Sequence, residues 1–491
     1  MRRVALLVLA AAVVAALAPP LAAQEPGPTL TLDDAIQLAL RRNRDLKVAS
    51  YYPAIARANL LVARGQFDPS LVASRNFSET QFNTSIGPIP VNDQTKVDYY
   101  SAGIQGILPT GTQYSIYGST QEIRDVYNGI TKNYQTFGGF QVTQPLLKGF
   151  GFASNLVNVR IAKANRSINE LTYRQSAIDT VWNTVVAYSN LQLAHDQLDA
   201  IERERALAVQ ELDENEKRYK VGQASQSDVL TSRSYAAYFE DPVLQAQRGV
   251  RDAQNVLRSF IGEETFFEDE PLFTLAPMEV PEVRIDRKAD LERALAMRPD
   301  YEQQRLAIVK TRASEAYAVN SLLPEVNFVG GYGYNGSAET FSASRQMVQD
   351  HMNPSVAAGL TVSVPLTFSV GRGNLRSARL QREQAEAALK DLQANIALSV
   401  ATAEGQIEVA RKRVVADQAA LVLAKRALED EQKKQKAGMS TSLNVVQYEQ
   451  QLALDETSIS NALAAERQAV ANYDHALGTT LERYHVKLTA E

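Results

Sequence analysis

The 491 residues contain no cysteine. That excludes disulfides, thiolate metal sites, cysteine nucleophiles and a lipid-modified N-terminal cysteine. Histidine occurs four times, and His195, His351, His475 and His485 have no His, Cys or Asp partner at metal-ligand spacing. Nothing in the sequence calls for a cofactor. The formal net charge of −5 gives no reason to expect nucleic acid as a partner. Long apolar runs are absent after the first twenty residues. A spanning helix needs about 20 apolar residues, so a helical inner-membrane transporter is excluded. A β-barrel is not, because alternating strands carry no long apolar run. Proline is missing from 153–221 and from 372–437, which leaves both tracts free to run as single long helices.

Residues 1–23 have the form of a secretory signal peptide, with Arg2 and Arg3 ahead of an apolar core from Val4 to Ala18 and cleavage expected after Ala23. The core is too short to span a bilayer, so the mature chain is expected outside the cytoplasm.

The stretch from Arg218 through Tyr219, Lys220, Val221 and Gly222 to Asp228 and Val229 reads as the tip of a helical hairpin. Gly222 follows the last periodic residue, where a left-handed glycine ends a helix. Ser225 or Ser227 can cap the next one. A second tip matches it, Gly222 pairing with Gly438, Asp228 with Asn444 and Val229 with Val445. The matches continue in the same order: Ala39-Leu40 with Ala294-Leu295, Asp45 with Asp300, Pro69 with Pro324, Pro145-Leu146 with Pro365-Leu366, and Asn155 and Arg160 with Asn374 and Arg379. Repetition in this order marks an internal duplication.

Each half reads helix, β tract, long helix, glycine tip, returning helix. The first repeat covers 24–261, with a β tract over 67–146, a long helix over 153–221 and a returning helix over 225–260. A linker over 262–287, rich in proline and acidic residues, separates it from the second repeat at 288–478. That repeat has its β tract over 324–368, its long helix over 372–437 and its returning helix over 441–477. A tail follows at 479–491. The opening helices are expected over 32–64 and 288–321, and Pro242 is expected to kink its helix. At 1.5 Å per residue each long helix is roughly 100 Å. A returning helix stacked on an opening helix matches one long helix, which predicts a cylinder of that height. Seven-residue seams, Leu171–Ile178–Val185 and Ile407–Val414–Leu421–Leu428 among them, suit lateral coiled-coil packing.

The β tracts alternate apolar residues with Ser, Thr, Asn and Gln. Strands are predicted over 70–82, 96–108, 112–122 and 134–144, with a turn at Pro109-Thr110-Gly111. Two more are predicted after Pro324. Of the 35 Phe and Tyr residues, 18 lie in 67–152 and 322–370, as the aromatic girdles of a barrel require. The chain supplies four to six strands against the eight or more of a single-chain barrel, so a barrel closes only when three chains combine.

The chain resembles the TolC-type outer-membrane efflux proteins, through Arg218 to Gly222 with Asp228 and Val229, the second tip at Gly438, Pro145-Leu146, Pro365-Leu366 and Leu323-Pro324. The resemblance covers nearly all of the mature chain. It implies a mostly α fold with a transmembrane β-barrel portion. A coiled-coil tunnel carries strands that complete the barrel in a homotrimer held by outer-membrane lipid. It implies an exit duct for a tripartite efflux or type I secretion system. The partners would be a periplasmic adaptor and an inner-membrane transporter of RND, ABC or MFS type. The family does no chemistry. Adaptor contact falls on Val221, Gly222, Asp228, Val229, Gly438 and Val445. The pore constriction falls on Gln435, Ser440, Asn444 and Gln447, all neutral. Two halves with the usual two strands each would differ from this chain, whose first β tract is about 35 residues longer between matched prolines and predicts an extra hairpin. The contrasting possibility is a periplasmic coiled-coil structural or adaptor-like protein without a channel.

Two patterns are read as structural. Gly331-Tyr332-Gly333-Tyr334-Asn335-Gly336 spells a dinucleotide fingerprint, but Ser, Ala, Glu and Thr follow it between two expected strands, so a strand and outer loop are predicted in place of the helix that fold requires. Lys433, Lys434 and Lys436 close a helix where cations offset its dipole.

Overall fold

The computed structural model describes residues 29–86, 89–125, 130–262, 274–277 and 280–488. The leader expected over 1–23, and much of the linker expected over 262–287, lie outside the described residues. Those described form two compact units, each drawing on both sequence repeats.

One unit comprises the described parts of 1–49, 174–298 and 395–491. It begins with β1 (Thr29–Leu30), which pairs in parallel with β6 (Thr274–Leu275). The Tyr188 hydroxyl, fully buried, donates to the Leu30 carbonyl at 2.9 Å and lies 2.7 Å from that of Ala276, fixing this small sheet on the long helix α5 (Val157–Lys220). Helix α1 (Leu32–Arg42) opens with a capping box between Thr31 and Asp34. The opening helix expected over 32–64 is broken at Asn43, whose side chain accepts from Leu46 N–H and donates to the Phe260 carbonyl. Helices α2 (Arg44–Ala49) and α3 (Tyr51–Gly65) follow. The second repeat breaks at the matching place, between α8 (Arg287–Met297) and α9 (Pro299–Asn320). Arg298 there is extended, as the residue before a proline prefers.

The returning helix expected over 225–260 is also two pieces, α6 (Gln226–Tyr238) and α7 (Glu240–Ile261). The interruption falls at Phe239, because Pro242 has no N–H for the Tyr238 carbonyl. Its counterpart α12 (Ser442–Leu477) contains no proline and is continuous. The short α13 (Thr480–Arg483) is tied back by two hydrogen bonds from Arg483 to Asp474, at 2.8 and 3.0 Å. Of the seam residues, Ile178, Val185, Ile407 and Leu428 are buried.

The other unit comprises 50–173 and 299–394. Its core is one six-stranded antiparallel sheet in the order β2-β3-β4-β5-β7-β8. The strands are β2 (Ser70–Ile86), β3 (Ile89–Ile107), β4 (Gln113–Asp125), β5 (Ile130–Pro145), β7 (Glu325–Ala338) and β8 (Pro354–Ser363). The first β tract therefore holds four strands and the second two. The glycines of the fingerprint-like run lie inside β7. In place of the outer loop expected after the glycine run, helix α10 (Phe341–Gln349), capped by Thr340, packs on the sheet over Gly336, where a Cβ would come within 1.9 Å of the Ser344 carbonyl oxygen. The helix expected from residue 153 starts as a separate turn, α4 (Phe152–Asn155), because the Asn155 amide donates to the carbonyls of Gly149 and Gly151. Helix α5 then begins at Val157, and α11 (Ser369–Lys436) is its counterpart after β8. No helix among the described residues is long and apolar enough to cross a membrane.

Candidate functional site: two glycine tips and a two-faced sheet

At the first tip Gly222 has φ +76°, and its N–H bonds the Tyr219 carbonyl at 3.0 Å. Ser225 caps α6. Its hydroxyl accepts from Asp228 N–H at 3.1 Å, and the Asp228 carboxylate accepts from Ser225 N–H at 2.8 Å and from its hydroxyl at 2.7 Å. These bonds, the backbone one foremost, hold the Asp228 pKa below the ordinary carboxylate value. Val221 and Gly222 are exposed and Val229 is half-buried.

Gly438 at the second tip has φ +75° and bonds the Gln435 carbonyl at 3.0 Å. Glu431, buried on the last turns of α11, organises the turn. Its oxygens accept from Ser440 Oγ at 2.5 Å and Lys434 Nζ at 2.9 Å, while the Asn444 amide donates to Ser440 Oγ at 3.3 Å. The Lys434 bond, followed by that from Ser440, lowers the Glu431 pKa. Gln435 donates to Ser442 Oγ at 3.2 Å. Three of the four neutral residues expected at a constriction, Gln435, Ser440 and Asn444, are thus bonded within their own hairpin; Gln447 is exposed. Val445 corrects an expectation. Its side chain is 2% exposed and packs with Leu428 and Leu452, so it cannot face an adaptor.

Behind the tips lies a polar cluster that no motif announced. The Asn215 amide, buried on α5, donates to Ser232 Oγ of α6 at 2.7 Å and to Ser442 Oγ of α12 at 3.3 Å. Glu211 of α5 and Glu449 of α12 face each other beside Asn215, and both Glu211 oxygens and Glu449 Oε2 are buried. Burial, reinforced by the neighbouring Glu211 charge, raises Glu449 to about 8. Burial and the Glu456 charge raise Glu204 to about 7. The clue in the sequence was spacing: Val445, Glu449 and Leu452 lie on one helical stripe, so Glu449 points inward.

No group of three or more His, Asp or Glu able to hold a metal occurs among the described residues. His475 instead stacks on Trp182 and contacts Asp179 at 2.9 Å.

In the part nearer the Pro109 turn the sheet has two chemically different faces; farther along the strands Arg75, Asp98 and Glu122 bring charge onto the face of Ile104. Leu71, Ile104, Ile116, Phe140, Tyr332 and Val356 form one register row across all six strands, and all six are exposed. The next row, on the opposite face, reads Ser70, Gln105, Ser115, Gln141, Gly331 and Ala357. Apolar outside and polar inside is the pattern of a transmembrane barrel wall.

An outer-membrane channel protein, with a partial barrel wall and long helices ending in paired tips, is the class these features define. The chain belongs to the outer membrane efflux protein family, whose model matches residues 35–263 and 291–479. It is 23% identical over 342 residues to the outer membrane protein TolC of Vibrio cholerae serotype O1, covering 67% of this chain and 74% of that one. It is 22% identical over 370 residues to TolC of Escherichia coli K12, covering 72% of each. The solved outer-membrane channel OprN superposes with a TM-score of 0.69 at 17% identity, covering 91% of this chain and 90% of that chain. The protein is an outer-membrane efflux channel, with a barrel that closes only in the trimer.

Proposed function

We propose that three copies of this chain form an exit duct that performs no chemistry. A periplasmic adaptor contacts its glycine tips, and an inner-membrane transporter supplies the cargo. Val221, Gly222, Asp228, Val229 and Gly438 are the adaptor-contact residues in this reading. Asn444 and Gln447 are the tip residues nearest the pore axis. The observation that carries it is the pair of left-handed glycine turns, each closing a long helix and each bare of any atom within 4 Å of a Cβ. Such turns leave backbone and small side chains open to another chain. Opening is the parting of the tips, resisted within each chain by the Asn215 and Glu431 networks.

The test is photo-crosslinking from Val221 and, separately, from Leu244 on α7, both exposed, in native membranes. A periplasmic protein captured from Val221 and not from Leu244 supports the reading. Capture from both alike, or a mature protein released by osmotic shock, overturns it.

A further inference from the structure

The matched prolines fix which strands correspond. Pro69 and Pro324 precede β2 and β7, and Pro145 and Pro365 mark the ends of β5 and β8. In the second half β7 pairs directly with β8. In the first half β3 and β4 lie between the corresponding strands β2 and β5, paired in sequence with both neighbours. The extra hairpin is therefore inserted inside the sheet.

Two independent features place it in the plane of the wall. The first is the apolar row, which runs through Ile104 of β3 and Ile116 of β4 without a break, between Leu71 on one edge and Val356 on the other. An accessory hairpin outside lipid would have no reason to continue that row. The second is the turn at Pro109-Thr110-Gly111. Gly151 N–H donates to the Thr110 carbonyl at 2.9 Å, and Thr112 Oγ1 donates to Gln144 Oε1 at 2.5 Å. The hairpin is thus fastened where β5 passes into α4, level with the end of the wall. The ladder from Thr95–Ile107 to Gln113–Asp125 is longer than the 9–11 residues a membrane strand needs, and its far end, where Lys96, Asp98, Glu122 and Arg124 share the face of Ile104, extends beyond the apolar band.

We propose that hairpin β3–β4 is part of the lipid-embedded wall, so that the closed barrel has eighteen strands, six from each of three chains. Two strands per half throughout, as in the second repeat, would give twelve. Six is even, so edge strands β2 and β8 run in opposite directions. The β8 edge of one copy can then continue the antiparallel ladder at the β2 edge of the next. Barrel diameter rises roughly in proportion to strand number, so this barrel is about 1.5 times as wide as a twelve-stranded one. Strand counts of sixteen to eighteen leave an open aqueous channel. The barrel then encloses an open aqueous lumen, lined in part by uncharged residues such as Gln105 and Ser115 of the inserted hairpin. The inference rests on the trimeric-duct reading, and its test separates the two.

The absence of native cysteine makes site-directed spin labelling clean. Ile104→Cys and Ile116→Cys would carry nitroxides on the inserted hairpin's apolar face, with Gln105→Cys and Ser115→Cys on its polar face. Phe140→Cys and Val356→Cys serve as references on the other strands. Each is labelled in the assembled trimer in lipid nanodiscs and compared for collision with oxygen and with a water-soluble nickel chelate. The expected result is several-fold greater oxygen preference at 104 and 116 than at 105 and 115, matching 140 and 356. Labels at 104 and 116 that prefer nickel while 140 and 356 prefer oxygen overturn the inference and leave the duct intact. Nickel preference at all six sites sinks both. A strand count by electron cryomicroscopy of the unsubstituted trimer needs no variant to fold: eighteen is expected, and twelve overturns the inference.

Discussion

The amide of Asn215 lies 3.3 Å from Ser442 Oγ, joining the end of the first long helix to the start of the last returning helix across 227 positions of sequence. The same amide holds Ser232, so one buried side chain ties both hairpin tips of a protomer together. Asn215→Leu removes a donor from two buried hydroxyls. Both hydroxyls keep a second partner, the Asp228 carbonyl and the Gln435 amide, so the cost is that of a net hydrogen bond, about 0.5–1.5 kcal/mol. Local opening of 226–232 and 442–446 should become easier by that amount, read as faster amide hydrogen exchange confined to those segments. Unchanged exchange there would show that the tips are held by apolar packing alone.

The buried carboxyls make the tip bundle sensitive to alkali. Glu449 is raised to about 8 and Glu204 to about 7, both chiefly by burial. A carboxyl whose folded pKa exceeds its unfolded one binds its proton more tightly in the fold. Its contribution is complete below the unfolded value and is lost as pH rises through the folded value. The helices around Glu211 and Glu449 should therefore loosen progressively as pH rises from about 4.5 to about 8. Glu449→Gln should flatten that dependence while leaving behaviour at about pH 4 nearly unchanged. Hydrogen exchange or protease cleavage across this pH range decides it, and an equally steep loss in the Gln variant would refute the assignment.

Gly222→Val and Gly438→Val place a β-branched residue at φ near +75°. No atom lies within 4 Å of the new Cβ at either site, so the penalty is backbone strain, about 1–2 kcal/mol or somewhat more. Trimers should still assemble and resist detergent, while adaptor crosslinking and export fall. Loss of the trimer itself would mean that the turns serve folding and not docking.

The second tip carries no acidic ring. Gln447→Asp in three chains adds three carboxylates at exposed positions, and Asn444→Asp adds three more. Confined like charges concentrate cations, so bilayer recordings should show weak cation preference in the native channel and a clear increase in the double variant. The two substitutions are not equivalent. Asn444 donates to Ser440, which in turn holds Glu431, so Asp at 444 faces a carboxylate-bound hydroxyl and should also loosen the turn. Gln447→Asp alone should shift selectivity without that change. Native channels already strongly cation-selective, and unaltered by either variant, would remove both residues from the constriction.

The glycine tips were legible because one residue type serves a left-handed turn, while Ser225 and Ser227 fitted the next cap equally until the bonds to Asp228 selected Ser225. The β tracts were legible because their side-chain period is two. Element ends were less so: Asn43 breaks a helix by bonding Phe260, a partner no local pattern reveals. Val445 was misplaced because a tip residue and a core residue look alike until the facing helix is known.

The sequence by itself determined the duplication, the long proline-free helices and the left-handed turns, since each depends on local periodicity or on one residue's backbone freedom. The tertiary structure decided where those pieces bear on one another. It put Glu211 against Glu449, hung two tips on Asn215, and lined Ile104 and Ile116 up with Phe140 and Val356. Register and burial are set by contacts between segments far apart in the chain, and a one-residue slip would exchange the two faces of a strand. No single stretch of the sequence carries that information.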